Sequence, residues 1–263
     1  TVFAYGQTSS GKTYVTGDKM NPGVIPRAVS EQSSSSREYL LRVAYLEIYN
    51  EQIKDLLAPE TLPLRIHEDT KRGVYVSPLK EEIVTSVAQM MRVIRKGEAK
   101  RHVSTTDYNE HSSRSHTIFQ LVRKAMRSAN ECVATLQNLI DLAGSEKASV
   151  SAERRLETAY INKSLLTLGT VISKLTSENS GHIPFRDSKL TRLLQTALTG
   201  NARVAVICAL APSGINADES LNTLKFASSI KQVVTSAHTN QVVDDKALLQ
   251  KYRLEIMELK ARL

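Results

Sequence analysis

Thr1-Val-Phe-Ala-Tyr-Gly-Gln-Thr-Ser-Ser-Gly-Lys-Thr-Tyr-Val-Thr-Gly17 is the stretch whose reading decides the fold. Val2 to Tyr5 form a short apolar, aromatic-containing run of the kind that fills a buried strand. Gly6, Gln7, Thr8, Ser9, Ser10, Gly11, Lys12 and Thr13 then follow the pattern G-x-x-x-x-G-K-T. Glycines at both ends let successive backbone N–H groups turn inward onto a polyphosphate, at the positive end of a following helix. In this pattern Lys12 reaches the terminal phosphates and the Thr13 hydroxyl holds Mg²⁺. A Gly/Ser/Thr-rich surface turn is the competing reading, and the apolar run directly before the loop argues against it.

The remainder of the chain supplies an α/β frame for such a loop. Tyr39 to Tyr49 is apolar on both alternating faces apart from Arg42 and Glu47, as a strand covered on both sides should be. Short strands are expected near Leu64–Ile66 and Val74–Val76, around the turn Lys71-Arg72-Gly73. Val87, Met90, Met91 and Ile94 fall on one helical face within Ser86 to about Lys100, with the methionines as core filler. His116–Val122 and Thr135–Leu142 read as strands, joined by a polar connection from Arg123 to Asn130. Ile161, Leu165, Leu168, Ile172 and Leu175 mark a long helix, and Leu190, Leu193, Leu194 and Ala197 another. Val204–Leu210 reads as a central strand and Asp218–Ile230 as a closing helix. Strands alternating with helices around a phosphate loop predict a P-loop NTPase sandwich of three layers, with a central, mostly parallel sheet flanked by helices.

Composition narrows the partners. The 263 residues carry a formal net charge of +8, which calls for an acidic partner: nucleic acid, an anionic membrane or an acidic protein surface. Cys132 and Cys208 stand far apart with no C-x-x-C spacing, so neither a metal cluster nor an oxidising compartment is implied. No apolar run approaches membrane-spanning length. After residue 231 the pattern lapses into a linker. Leu249, Tyr252, Ile256, Leu259 and Leu263 then step at alternating spacings of three and four, as at the start of a coiled coil or along a surface helix.

Three further motifs bear on chemistry. Asn109-Glu-His-Ser-Ser-Arg-Ser-His116 precedes a strand, and its Ser112 and Ser113 can face a γ-phosphate and its metal, although serine-rich turns are common. Asp141-Leu-Ala-Gly-Ser-Glu146 ends an apolar strand, where Asp141 can hold the metal's water shell and Gly144 can offer its N–H to the γ-phosphate. His182-Ile-Pro-Phe-Arg-Asp-Ser-Lys-Leu-Thr-Arg192 carries Arg186, Lys189 and Arg192 three apart, on one face if helical; spacing alone favours a solvated face.

Taken in this order, the four motifs resemble the kinesin motor domain, from Thr1 to about Val234, supported by Leu46-Glu-Ile-Tyr-Asn-Glu51, Ile161-Asn-Lys-Ser-Leu165 and Leu221-Asn-Thr-Leu-Lys-Phe-Ala227. The ending, residues 244–260, is similar to the neck of the centromere-associated, CENP-E-like class. The resemblance implies a motor domain over residues 1–232 that lacks its first strands, a neck linker over 233–243 and the start of a coiled-coil neck over 244–263. It implies ATP and Mg²⁺ as ligands, with Tyr14 near the adenine and Thr13, Ser113 and Asp141 around the metal. Asn109, Ser112 and Ser113 would surround the γ-phosphate, Gly144 would sense it, and Arg114 would pair with Glu146 to close a gate over the attacking water, with Asn162 near Glu146. Catalysis would be positioning plus charge stabilisation. Lys163, Arg186, Lys189 and Arg192, with Lys71 and Arg72 as a secondary contact, would face the acidic surface of tubulin. Microtubules are thus the implied partner, in the cytoplasm and on the cytoskeleton, spindle and kinetochore included. Neither nucleic acid nor membrane is expected, and the coiled coil implies a homodimer.

Two departures from the family pattern stand out. A segment with the first strands and an adenine contact is missing before the phosphate loop, and the stretch from Asp141 to Asn162 is short, with Thr158 where a glycine is usual. A further deletion is read around Ser30–Ser36. An ATP-hydrolysing, plus-end-directed motor is therefore set against a truncated, non-catalytic microtubule-binding module. With the upstream strands gone, an edge of the Val204–Leu210 strand is expected to lack its partner.

Overall fold

The computed structural model describes residues 1–15, 23–27, 39–58, 63–70, 73–103, 114–128, 131–146, 155–177 and 181–235. The strands are β1 (Val2–Tyr5), β2 (Tyr39–Tyr49), β3 (Gln52–Asp55), β4 (Arg65–Asp69), β5 (Gly73–Ser77), β6 (Glu82–Val84), β7 (His116–Ser128), β8 (Glu131–Asp141) and β9 (Ala205–Cys208). The helices are α1 (Val87–Val103), α2 (Arg155–Thr176), α3 (Lys189–Thr196) and α4 (Ala217–Lys231). Strand order in the main sheet is β3-β2-β7-β8-β1-β9, with β6 beside β2, while β4 and β5 pair only with each other.

The sheet is mixed, not mostly parallel. β1 runs parallel to both β8 and β9, but β2 is antiparallel to β3, β6 and β7, and β7 to β8. The reason lies in the connections. β2 turns into β3 through Asn50 and Glu51, both at positive φ (49° and 57°), a two-residue turn whose twist suits a hairpin. β7 and β8 pair over nearly their whole lengths, so the polar Arg123–Ser128 stretch is ladder rather than connection.

Alternation along the strands splits the core into two layers. Ala4, Val43, Tyr45, Phe119, Leu121 and Leu139 face Met90, Val93 and Ile94 of α1. Their neighbours Phe3, Leu46, Ile48, Ile118, Ile140 and Leu142 face Leu168, Val171 and Ile172 of α2, Leu190 and Leu194 of α3 and Ile230 of α4. Met90 is fully buried, as core filler should be. The run around β9 covers one face only: Val204 and Val206 join the layer beneath α4, while Ile207 and Leu210 are exposed. Among the described residues β9 pairs with β1 alone, so the strand read as central stands at the sheet's edge. The expected neck linker extends beyond the described residues after Thr235, and the coiled-coil stretch lies wholly outside them.

Helix α2 offers a test of this packing within one turn. Leu168 is fully buried and Leu166 is 73% exposed. Leu168→Ala should destabilise the fold by about 2–5 kcal/mol, and Leu166→Ala by no more than about 0.5 kcal/mol. Urea midpoints measure both, and equal shifts would contradict the assigned helix face.

Candidate functional site

The ends of β1 and β8 meet because the strands are parallel and in a fixed register, Val2 opposite Leu139, Phe3 opposite Ile140 and Ala4 opposite Asp141. The contact continues past both strands: Leu142 N–H donates to the Ala4 carbonyl (3.3 Å), and Ser145 N–H to that of Gly6 (3.0 Å). On the other side Ala209 N–H donates to the Tyr5 carbonyl at 2.8 Å. Gly6 has φ 148°, and a Cβ there would collide with the Ala209 carbonyl oxygen, so only glycine fits. The Tyr5 ring stacks on Phe226 of α4 with centroids 3.8 Å apart, which ties the loop's entry to the Leu221–Ala227 motif.

Inside the loop, the Gln7 carbonyl collects three donors: Ser10 N–H (3.3 Å), Ser10 Oγ (2.7 Å) and Lys12 Nζ (2.7 Å). Ser9 adopts φ 62°, in the left-handed region, and Gly11 φ 98°. The described part of the element that follows is one 3₁₀ turn, Lys12–Val15. Lys12 is buried, and burial pushes its ammonium pKa down against the opposing pull of Asp141 and Glu146. Asp141 is likewise buried, and desolvation raises its pKa despite the Thr13 hydrogen bond and the charges of Lys12 and Arg101. Two opposite charges are thus held partly desolvated at the mouth of one loop.

Mg²⁺ fits this donor set. Thr13 Oγ1 lies 3.0 Å from Asp141 Oδ2, and Asp141 Oδ1 is buried with no hydrogen-bond partner. A hydroxyl beside a carboxylate oxygen in need of a ligand is what a hard divalent cation, or its bound water, takes.

Glu146 is held by Thr8, whose N–H donates to Oε2 at 2.8 Å and whose hydroxyl donates to Oε1. Gly144 lies against this pair, and a side chain there would strike both Glu146 carboxylate oxygens and Thr8 Oγ1. The second motif is therefore latched onto the phosphate loop, and Thr8, read only as a loop member, is the latch. Its hydroxyl in a Thr-Ser-Ser run gave no signal beyond loop composition. In this structure Thr8 engages both oxygens of the Glu146 carboxylate. Arg114 is described; Asn109, Ser112 and Ser113 lie outside the described residues, as does the Asn162 side chain. Tyr14 is 60% exposed beside the loop.

His116 was not singled out by spacing, yet it is central. Its Nδ1 accepts the Ala143 N–H at 3.0 Å and its Nε2 lies 2.7 Å from Ser164 Oγ on α2. The Nδ1 contact fixes the proton on Nε2, which donates to the serine. Burial, then the nearby Arg101 charge, push its pKa down to about 3, so the ring stays neutral. Arg101 itself is buried, pairing with Glu47 (3.4 Å) and donating to Ser115 Oγ (2.8 Å).

The basic stretch is not a single helical stripe. Arg186 lies in the 3₁₀ turn Phe185–Asp187, and Ser188 breaks the path with extended geometry before capping α3 through the Leu190 N–H. Arg186 and Lys189 are exposed, as is Lys163 on α2, whereas Arg192 is half-buried with its Nε lacking a hydrogen-bond partner. Arg186 makes a 3.3 Å ion pair with Glu68 of β4, too exposed to bind it firmly. Lys71 and Arg72 fall outside the described residues. Glu51 positions this segment: its carboxylate accepts from Ser188 Oγ (2.8 Å) and Lys189 N–H (2.7 Å). These charge-assisted bonds offset the strain of its positive φ. Within Leu46–Glu51 nothing local marked the last residue as a distant helix cap.

The sequence profile of the kinesin motor domain matches residues 1–233. The chain belongs to the kinesin motor domain family. Kinesin-related protein 11 of Dictyostelium discoideum is 53% identical over all of this chain, which covers 42% of that protein. Kinesin-like protein KIN-7D, chloroplastic, of Oryza sativa subsp. japonica is 51% identical, again over the whole chain and 27% of its own length. The chain thus spans less than half the length of these relatives. Among solved structures, a fast kinesin studied for its ATPase mechanism and microtubule interactions superposes with TM-score 0.83 at 43% identity, over 92% of this chain and 73% of that one. A KIF14 dimer bound to a microtubule with AMP-PNP gives TM-score 0.82 at 36% identity, over 95% and 75%. The kinesin fold, with its mixed sheet between helical layers, is therefore that of this chain.

The burial of Lys12 gives a pH-dependent prediction. With the folded pKa lowered below its ordinary value of 10.5, the unfolded chain binds the proton more readily, so stability rises as pH increases from the lowered value toward 10.5. Lys12→Met should remove this rise and leave the melting temperature at neutral pH undiminished, because Ser10 still satisfies the Gln7 carbonyl. Melting curves between neutral and alkaline pH check it, and a large loss of stability at neutral pH would contradict the desolvation argument.

Proposed function

We propose that this kinesin motor domain hydrolyses ATP with Mg²⁺, stimulated by microtubules, and couples the reaction to movement along them. The observation that carries the reading is the gathering of Lys12, Thr13, Asp141, Gly144 and Glu146 at the adjoining ends of β1 and β8. Lys12 and the loop N–H groups would bind the phosphates and Thr13 and Asp141 the metal, which neutralises charge between the phosphates. Tyr14 stands open to an adenine. Asn109, Ser112 and Ser113 would complete the γ-phosphate shell, with Asn162 near Glu146. The Thr8 latch on Glu146 belongs to one state; in another, Glu146 leaves Thr8 and pairs with Arg114, closing the site over the attacking water.

Lys163, Arg186 and Lys189 supply the exposed positive charge for tubulin's acidic surface, with Lys71 and Arg72 as a second contact and Arg192 a lesser one. Plus-end direction, a homodimer through the coiled coil of residues 244–263, and a place in the CENP-E-like class extend the reading, on the strength of the chain's ending. The relatives above bear KIN-7 and Kinesin-related protein 11 names, and some KIN-7 names carry chloroplastic or mitochondrial labels, so microtubules are the location proposed.

Phosphate release with and without microtubules tests the reading. Wild type should be stimulated and Lys12→Ala inactive. Arg114→Ala and Glu146→Ala should each cripple stimulated turnover, and the double variant should be little worse than either, since the pair acts as a unit. Neutralising Lys163, Arg186 and Lys189 together should raise the microtubule concentration for half-stimulation and flatten its salt dependence. Microtubule binding with no phosphate release in the wild type would leave a binding module without catalysis.

A further inference from the structure

Gly144 and Lys163 belong to opposite ends of the proposed cycle, phosphate sensing and filament contact. The residues beside them, Ala143 and Ser164, are joined through a single side chain. His116, 3% exposed, accepts the Ala143 N–H on one nitrogen (3.0 Å) and donates to the Ser164 hydroxyl from the other (2.7 Å). Ala143 is fully buried and Ser164 nearly so, which shields both hydrogen bonds from exchange with water. Lys163, the preceding residue on α2, is exposed to the outside.

The ring has little freedom to swing. His116 opens β7, where Thr117 pairs with Asp141, so its backbone is fixed to the strand that carries the metal-side carboxylate. Ser115, the residue before it, is pinned by the buried Arg101 guanidinium, itself paired with Glu47 of β2. An imidazole held on a rigid sheet and bonded at both nitrogens links its two partners, where an apolar contact would slip.

We propose that His116 is a positioning residue that couples the nucleotide-sensing end of β8 to the filament-facing helix α2 through its paired hydrogen bonds to Ala143 N–H and Ser164 Oγ. The inference rests on the ATPase reading above. A shift of residues 142–146 toward or away from the γ-phosphate moves Ala143 relative to the fixed ring, which weakens or restores its bond to Nδ1 and with it the ring's hold on Ser164, next to Lys163. Linkage makes the coupling reciprocal for binding, so a filament bound at Lys163 shifts nucleotide affinity by the factor with which nucleotide shifts filament affinity.

Ser164→Ala cuts the helix side of the bridge. His116→Asn keeps an acceptor where Nδ1 stands, and so the Ala143 bond, but falls short of Ser164. Each variant of the full chain is compared with wild type by melting temperature, Mg-ADP affinity, basal phosphate release, and kcat and half-stimulating concentration with microtubules. Both variants should keep Mg-ADP affinity and basal rate while stimulated kcat falls about fivefold or more, the lower range of a typical coupling between sites. Full stimulation in both variants would overturn the proposal. So would parallel losses of melting temperature, ADP affinity and basal rate, since that is the mark of a ring that only supports the fold. A wild type that binds microtubules without stimulation would instead remove the ATPase reading, and this inference with it.

Discussion

The register of β1 on β8 is the constraint on which the site depends. With Ala4 opposite Asp141, the loop leaving β1 and the turn leaving β8 emerge side by side, and Thr13 comes within hydrogen-bond reach of the carboxylate. A slip of one residue would turn Asp141 to the other face of the sheet and bury an apolar neighbour's place with charge. Side-chain alternation guards against that slip: Phe3 and Ile140 fill one layer and Ala4 and Leu139 the other. Gly6 completes the constraint, since its lack of a side chain allows β1 to end tightly against Ala209.

From that register follows the site's electrostatic character. Lys12 and Asp141 are both held away from water, the base pushed toward neutrality from above and the acid from below. Such groups are costly in the fold and gain most when an anion and a divalent cation arrive between them. Asp141 Oδ1, buried without a partner, is the atom where this imbalance is most evident. The neutral His116 and the buried Arg101–Glu47 pair lie just behind, fixing the second strand and α2 relative to the loop.

Much of this was legible because the deciding signals are local. A G-x-x-x-x-G-K-T pattern after Val2–Tyr5, and helical periodicity through Leu165, Leu168 and Ile172, need no knowledge of distant contacts. What stayed hidden depends on pairing. β3 and β6 have four and three residues, too few for a period to emerge. The β7–β8 ladder runs through Arg123–Ser128, whose charges suggest a loop. An apolar run at β9 fits a covered strand as well as an edge, and only its pairing with β1 distinguishes them. The geometry of the basic stretch was hidden too, because Ser188 and its cap from Glu51 interrupt the helix that its spacing suggested. Thr8, Glu51 and His116 share one property: each acts on residues more than 25 positions away, where no sequence window reaches.

The central claim is that the β1 and β8 ends form one Mg-nucleotide site with Asp141 on the metal side. Equilibrium titration of a fluorescent ATP analogue, with Mg²⁺ and again with the metal chelated, tests it on wild type and Asp141→Asn. Wild type should bind more tightly with Mg²⁺, and Asp141→Asn should remove a preference of about ten- to hundredfold without lowering the melting temperature, since the replaced charge is desolvated. Wild-type binding indifferent to Mg²⁺, or an Asp141→Asn variant with the full metal dependence, would contradict the account.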